Sequence, residues 1–172
     1  MSNGKQYALW IRPFGDIAFS LRQHIKKLAE EYDTPLFEPH VTLISGLCGN
    51  EPELIQWTNI LAETLHPFDI LLTRAGFDKQ YYRCLYVYAD NSEELQHARK
   101  TAERLFDVDP DEPFKPHLSL MYGDLDRKEK ERILNRMGRQ FHIRFGATNL
   151  LLISTSGDPA DWQEVHSANF VQ

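Results

Sequence analysis

One ten-residue pattern occurs twice in this chain. Phe37 to Gly46 reads FEPHVTLISG, and Phe114 to Gly123 reads FKPHLSLMYG. Phe, Pro, His, Leu and Gly recur at the same places, and Thr42 with Ser119 and Val41 with Leu118 are chemically alike. The offset of 77 residues is too long for a solenoid repeat. A chain of 172 residues with two such copies is therefore expected to fold as two related lobes within one domain spanning residues 1–172.

Each copy is expected to be a strand, and strand geometry makes it half of a site. Side chains alternate between faces, so His40 and Thr42 share one face while Val41 and Leu43 take the other. His117 and Ser119 likewise oppose Leu118 and Leu120. Residues two apart on a strand are separated by roughly 6.6 Å, which suits an imidazole and a hydroxyl reaching one tetrahedral anion. If the lobes face each other, two imidazoles and two hydroxyls meet in one cleft. One His-x-Thr carries no weight, because it arises by chance and usually marks a core strand. Two copies in matching flanks do carry weight.

The surrounding pattern is strand, helix, strand, helix, strand, met twice. Strands are read at Lys5–Arg12, Val41–Ser45, Phe68–Phe77, Tyr82–Ala89 and His117–Met121. A helix from Asp16, its expected N-cap, to Tyr32 carries the stripe Ile17, Leu21, Ile25, Leu28 and Tyr32. A second follows Pro52, a third is capped by Ser92, and a fourth opens on the capping-box pair Asp126 and Glu129 and ends near Gly138. The tail from Phe141 to Val171 reads as strands broken at Gly157-Asp158-Pro159. The fold class is α+β, with two pseudo-twofold lobes of mostly antiparallel sheet and helices on the outer faces.

Composition narrows the functions. At 42% hydrophobic and 26% charged the chain is globular rather than disordered. No apolar run reaches the roughly 18 residues of a membrane span, and Met1 to Tyr7 lack a signal-type apolar stretch. Two cysteines, Cys48 and Cys84, make no disulfide framework, so a reducing, cytoplasmic location is expected. The net charge of −6 disfavours a grip on many phosphates of a duplex, but not a small anion held locally. A monomer is expected.

Two histidines with no nucleophile beside them suit cleavage of a phosphate ester by paired acid and base. An unperturbed pKa of about 6.5 allows one neutral and one protonated ring near neutrality. Hydroxyls of Thr42 and Ser119 would hold the non-bridging oxygens. A cyclic phosphate needs the least help, and the set requires no cofactor and no metal. No H-E-x-x-H, zinc spacing, G-x-S-x-G or P-loop is present among the seven histidines and the serines. His24 and His97 sit beside helix stripes, His66 precedes Pro67 at a helix end, and His142 and His166 receive no role.

PHVTL (Pro39–Leu43) and PHLSL (Pro116–Leu120), with YALW (Tyr7–Trp10), YYRCLY (Tyr81–Tyr86) and KPHLSLMYGDL (Lys115–Leu125), resemble the two-histidine phosphoesterase superfamily. Its members have a LigT-like bilobal fold, and the chain is most similar to the cyclic phosphodiesterases of plants and yeast. The resemblance implies catalytic roles for His40, Thr42, His117 and Ser119. It also implies that Tyr122 lies against the ligand, once a strand end or bulge near Gly123 has re-aimed it. Trp10 and Tyr82 are candidates to stack a nucleobase. The implied reactions are ADP-ribose 1″,2″-cyclic phosphate to the 1″-phosphate, and nucleoside 2′,3′-cyclic phosphates to 2′-phosphates, without a cofactor. An RNA end-processing or ligase-like enzyme is the alternative, with Arg127, Lys128, Lys130, Arg132, Arg136 and Arg139 as a basic approach to RNA ends. A non-catalytic nucleotide-binding module is the alternative of another class.

Overall fold

The computed structural model describes residues 4–172; Met1 to Asn3, part of the segment read above as lacking a leader, lie outside the described residues. The order is β1 (Gln6–Ile11), α1 (Gly15–Tyr32), β2 (Val41–Cys48), α2 (Glu51–Glu63), β3 (Phe68–Phe77), β4 (Leu85–Ala89), α3 (Glu93–Leu105), β5 (His117–Met121), α4 (Arg127–Met137), β6 (Gln140–Ala147), β7 (Asn149–Ser154) and β8 (Gln163–Asn169). The strands form one antiparallel sheet ordered β6-β3-β4-β5-β2-β1-β7-β8. Its centre is the pair β5 and β2, the two strands that carry the repeat. Outward from that centre, β4, β3 and β6 on one side mirror β1, β7 and β8 on the other. The α+β fold with two related lobes follows from this order.

The helices bind the halves together. α1 leaves the first half and packs on β5 of the second, while α3 leaves the second and packs on β2 of the first. Leu21, Ile25 and Leu28 of α1 and Leu95, Ala98 and Ala102 of α3 are buried there, with Val41, Leu43, Leu118 and Leu120 of the two central strands. The aliphatic alternate positions of both repeat copies thus belong to the helix-covered core. Burying one such side chain contributes about 1.5–3 kcal/mol, so the register of these strands is strongly specified. The opposite face carries the polar positions and a small cluster of Ala8, Trp10, Leu151 and Ile153 against Trp162.

Several local expectations change. Asp16 lies in the first turn of α1 rather than at its N-cap, which is Phe14 with no side-chain cap. The carboxylate still meets the positive end of the helix. Ser92 and Asp126 do cap, accepting from the N–H of Leu95 at 3.2 Å and of Glu129 at 2.8 Å. Glu129 does not close the box, because it accepts from the Tyr32 hydroxyl and pairs with Arg132. The strand expected from Tyr82 begins only at Leu85. Tyr81–Arg83 forms one 3-10 turn, held where the Asp78 N–H donates to the Arg83 carbonyl at 3.0 Å.

Candidate active site

His40 and His117 stand at matching places, just before β2 and at the first residue of β5. The two strands pair at Val41↔Leu118. Carried one residue either way, that antiparallel register sets His40 across from Ser119 and Thr42 across from His117. All four side chains are then on the face away from the helices, with directly opposed Cβ atoms about 4.5–5.5 Å apart. The four residues expected from the repeat form one patch between the lobes.

Both imidazoles are tied in the same way. His40 Nδ1 lies 2.7 Å from the Glu38 carbonyl, and His117 Nδ1 lies 2.8 Å from the Lys115 carbonyl. A carbonyl only accepts, so each Nδ1 carries its proton and donates it. In the neutral ring Nε2 then holds a lone pair; after protonation it is a donor. His40 is only 5% exposed. Burial is the main force pushing its imidazole down, to about 3, and Arg12 and His117 add their positive charge to that effect. His117 is half-buried. Burial and Arg83 lower it as well, against the opposing pull of Asp78. Without an anion between them, both rings are neutral at pH 7.

The hydroxyls are not equivalent. Ser119 is buried and its Oγ donates to the Tyr82 carbonyl at 3.0 Å, so its proton is engaged by the 3-10 turn. Thr42 is half-buried.

Aromatic rings line one side of the patch. Trp10, which pairs with Thr42 across β1 and β2, lies flat on the His40 imidazole with centroids 3.5 Å apart and planes 6° apart. At 4% exposure, with one face covered by that ring, Trp10 is not an open platform for a base. Tyr82 is half-exposed and leans on Tyr122 at 5.2 Å. β5 ends at Met121, and Tyr122 just beyond it stacks on Phe37 at 3.8 Å. Trp162 was missed by sequence reasoning. It follows the Pro159–Asp161 turn between β7 and β8, and its ring is 5.7 Å from Trp10 and 5.9 Å from both Tyr82 and Tyr122. It therefore touches rings of both lobes. The only trace of it in the sequence is the turn signal three residues earlier. Trp10, Arg12, Phe37, Glu38, Pro159 and Trp162 help line a cavity of about 240 Å³ on the Trp10 side of His40, although none of the four repeat residues lines it. That is smaller than the roughly 300–1,000 Å³ of a complete small-molecule pocket, so it suits one portion of a ligand.

Other groups lie elsewhere. A wider groove of about 800 Å³ is lined by Asp69, Asp90, Glu93 and Glu94 with His66 and His97, and includes none of the four repeat residues. His166 bonds Asn59 at 2.7 Å and His66 the Val171 carbonyl at 3.1 Å. Among the described residues no group of three or more His, Cys, Asp or Glu is arranged to hold a metal. Cys84 is buried, which pushes its thiol up, and Cys48 is exposed. Among the described residues no helix is long and apolar enough to cross a membrane.

A family model for cyclic phosphodiesterase-like proteins matches residues 6–170. A cyclic phosphodiesterase of Arabidopsis thaliana is 22% identical over 125 residues, 73% of this chain and 69% of its own. Among solved structures, a protein of Thermus thermophilus superposes with a TM-score of 0.69 at 14% identity, over 96% of this chain and 97% of its own. Escherichia coli LigT crystallised with 3′-AMP superposes with a TM-score of 0.66 at 14% identity, over 99% of this chain and all of its own. These structural likenesses establish the LigT-like fold.

Proposed function

For a chain that belongs to the cyclic phosphodiesterase-like family, we propose hydrolysis of small cyclic phosphodiesters by His40 and His117 acting as a pair. The substrates are ADP-ribose 1″,2″-cyclic phosphate and nucleoside 2′,3′-cyclic phosphates, and the products are the 1″- and 2′-phosphates. The observation that carries this reading is the matched tether of the two rings, Nδ1 to a carbonyl two residues back at 2.7 and 2.8 Å. It leaves Nε2 of each ring for proton transfer on the face shared with Thr42 and Ser119.

On a 2′,3′-cyclic nucleotide, one neutral Nε2 takes a proton from water as the water oxygen bonds to phosphorus. The bond from phosphorus to the 3′-oxygen breaks, and the other, protonated Nε2 delivers its proton to that oxygen. The 2′-ester bond remains, giving the 2′-phosphate. Each proton transfer contributes roughly 10²–10⁴-fold. Thr42 donates to a non-bridging oxygen; Ser119 does so by turning its hydroxyl from the Tyr82 carbonyl. Tyr82 and Trp162 supply aromatic surface for the base, each such contact contributing about 1–3 kcal/mol. Tyr122, which the resemblance set against the ligand, is buried on Phe37 and backs those two rings. LigT, which shares the fold, has been crystallised with 3′-AMP, in keeping with a nucleotide in such a cleft.

The basic stretch read as an approach to RNA ends has acidic partners of its own. Arg127 pairs with Glu131, Arg132 with Glu129 and Arg136 with Glu31, and the Lys130 side chain is buried with Nζ on the Asp78 carbonyl. Four of the six basic groups are thereby engaged. The test is phosphorus NMR of the product from a 2′,3′-cyclic nucleotide, with and without EDTA. A 2′-phosphate formed at the same rate in both is expected. Activity lost to EDTA and restored by metal, or tight binding without turnover, would reject the proposal.

A further inference from the structure

We propose that Trp10 is a positioning residue for His40, fixing its ring plane and excluding water, so that the two duplicated histidines differ and the free site takes its first proton at His117. This rests on reading the two histidines as the reacting pair.

The repeat itself identifies the difference. Trp10 is the β1 neighbour of Thr42, and Tyr86 is the β4 neighbour of Ser119. The two rings therefore occupy equivalent places in the two halves. Trp10 lies flat on His40. Tyr86 meets His117 at 5.1 Å and 55°. Its hydroxyl is 3.0 Å from that of Tyr88 and 3.5 Å from the Phe77 carbonyl, which draws it away from the imidazole. The Nδ1 tethers are alike, so the aromatic neighbours separate a nearly sealed His40 from a half-buried His117: Trp10 lies flat on His40, and Phe37 stands edge-on to it at 6.3 Å.

The charged groups around each ring point the same way. Facing His40 are Arg12, just after β1, and His117 from β5, and neither is an anion; the Glu164 carboxylate of β8 is committed to Arg12 at 3.0 Å. The Glu38 carboxylate, on His40's own segment, is committed to Arg22 at 2.6–3.1 Å. A cation over an indole is attracted to it. With water excluded and no anion opposite, burial dominates and the neutral ring is favoured. His117 faces Arg83 and Asp78, which pair with each other at 3.3 Å. Arg83 acts on the ring more strongly than Asp78, but the His117 cation meets charges of both signs and, unlike His40, a partly open surface.

The experiment is an NMR titration of labelled histidines, assigned with His40→Ala and His117→Ala, alongside pH–rate profiles. In the unaltered protein His117 should take up its proton at higher pH than His40. Trp10→Leu should raise the pH at which His40 titrates by about 1 unit or more and lower kcat more than it raises KM. Trp10→Phe, which keeps a flat ring, should largely restore both. Tyr86→Trp, which gives the second half the ring of the first, should move the His117 titration downward, and it keeps the idea testable if Trp10→Leu does not fold. Equal titration of the two histidines in the unaltered protein would overturn the proposal. So would a Trp10→Leu loss confined to KM with His40 unmoved, the signature of a substrate platform. The titration needs no turnover: an inactive protein with the expected proton order would reject the proposed reaction, and an active one with the order reversed would reject the role of Trp10.

Discussion

His40 binds protons less readily in the folded chain than in the unfolded one, and this links the site to stability. Its folded value, about 3, lies below the ordinary 6.5 of an unfolded imidazole. The unfolded chain therefore binds more protons between those limits, and stability falls as pH drops from about 6.5 toward 3. A melting curve taken every half unit of pH should show that loss, and His40→Ala should flatten it. The same lowering governs the rate. The one-proton form of the free pair exists on the acid side of 6.5, so kcat/KM should peak there and decline toward neutrality. Bound phosphate raises both imidazoles, so kcat should hold to higher pH and substrate should bind with proton uptake at pH 7. A profile for kcat/KM centred above pH 7 would contradict this. That His40, Thr42, His117 and Ser119 would lie together was legible because a duplicated motif is a statement within one sequence. The flat contact of Trp10 was not, because it depends on which strand lies beside β2.

Within the elements, hydrophobic alternation located the two central strands, and the stripe Leu21, Ile25 and Leu28 located α1. Periodicity does not tell which strand a helix crosses, and the packing of α1 on β5 is a long-range choice. Tyr82 reads as the start of a strand by propensity, yet lies in a turn because the Asp78 N–H and the Ser119 hydroxyl hold the Arg83 and Tyr82 carbonyls. Gly76 of β3 is a further case. A Cβ there would stand 2.9 Å from Tyr88 Cε2 and 3.2 Å from Tyr86 Cε2, so the strand needs glycine for the rings that lie across it. Gly76→Ala should cost about 1–3 kcal/mol in denaturant unfolding and lower kcat as Tyr86 shifts against His117. A neutral Gly76→Ala would show that the tyrosines are not packed there. Ser92→Ala should cost about 1 kcal/mol, from loss of the α3 cap alone, with turnover unchanged.

For the molecule as a whole, the mirrored strand order makes the cleft the seam between two halves, and the exchange of α1 and α3 holds that seam together. The net charge of −6 and the carboxylate partners of Arg127, Arg132 and Arg136 on α4 do not favour a grip on a long anion. An oligonucleotide ending in a 2′,3′-cyclic phosphate should therefore be cleaved no faster than the mononucleotide, with a shallow salt dependence. A steep loss with salt, confined to the oligomer, would instead indicate an RNA-binding face. The most direct test of two imidazoles acting on one phosphorus is a double-mutant cycle on a 2′,3′-cyclic nucleotide. His40→Ala and His117→Ala should each lower kcat by at least about 10²-fold, and the double variant should lose little more than the worse single one. Losses that multiply across the two histidines, or a single variant that keeps near-full turnover, would contradict the account.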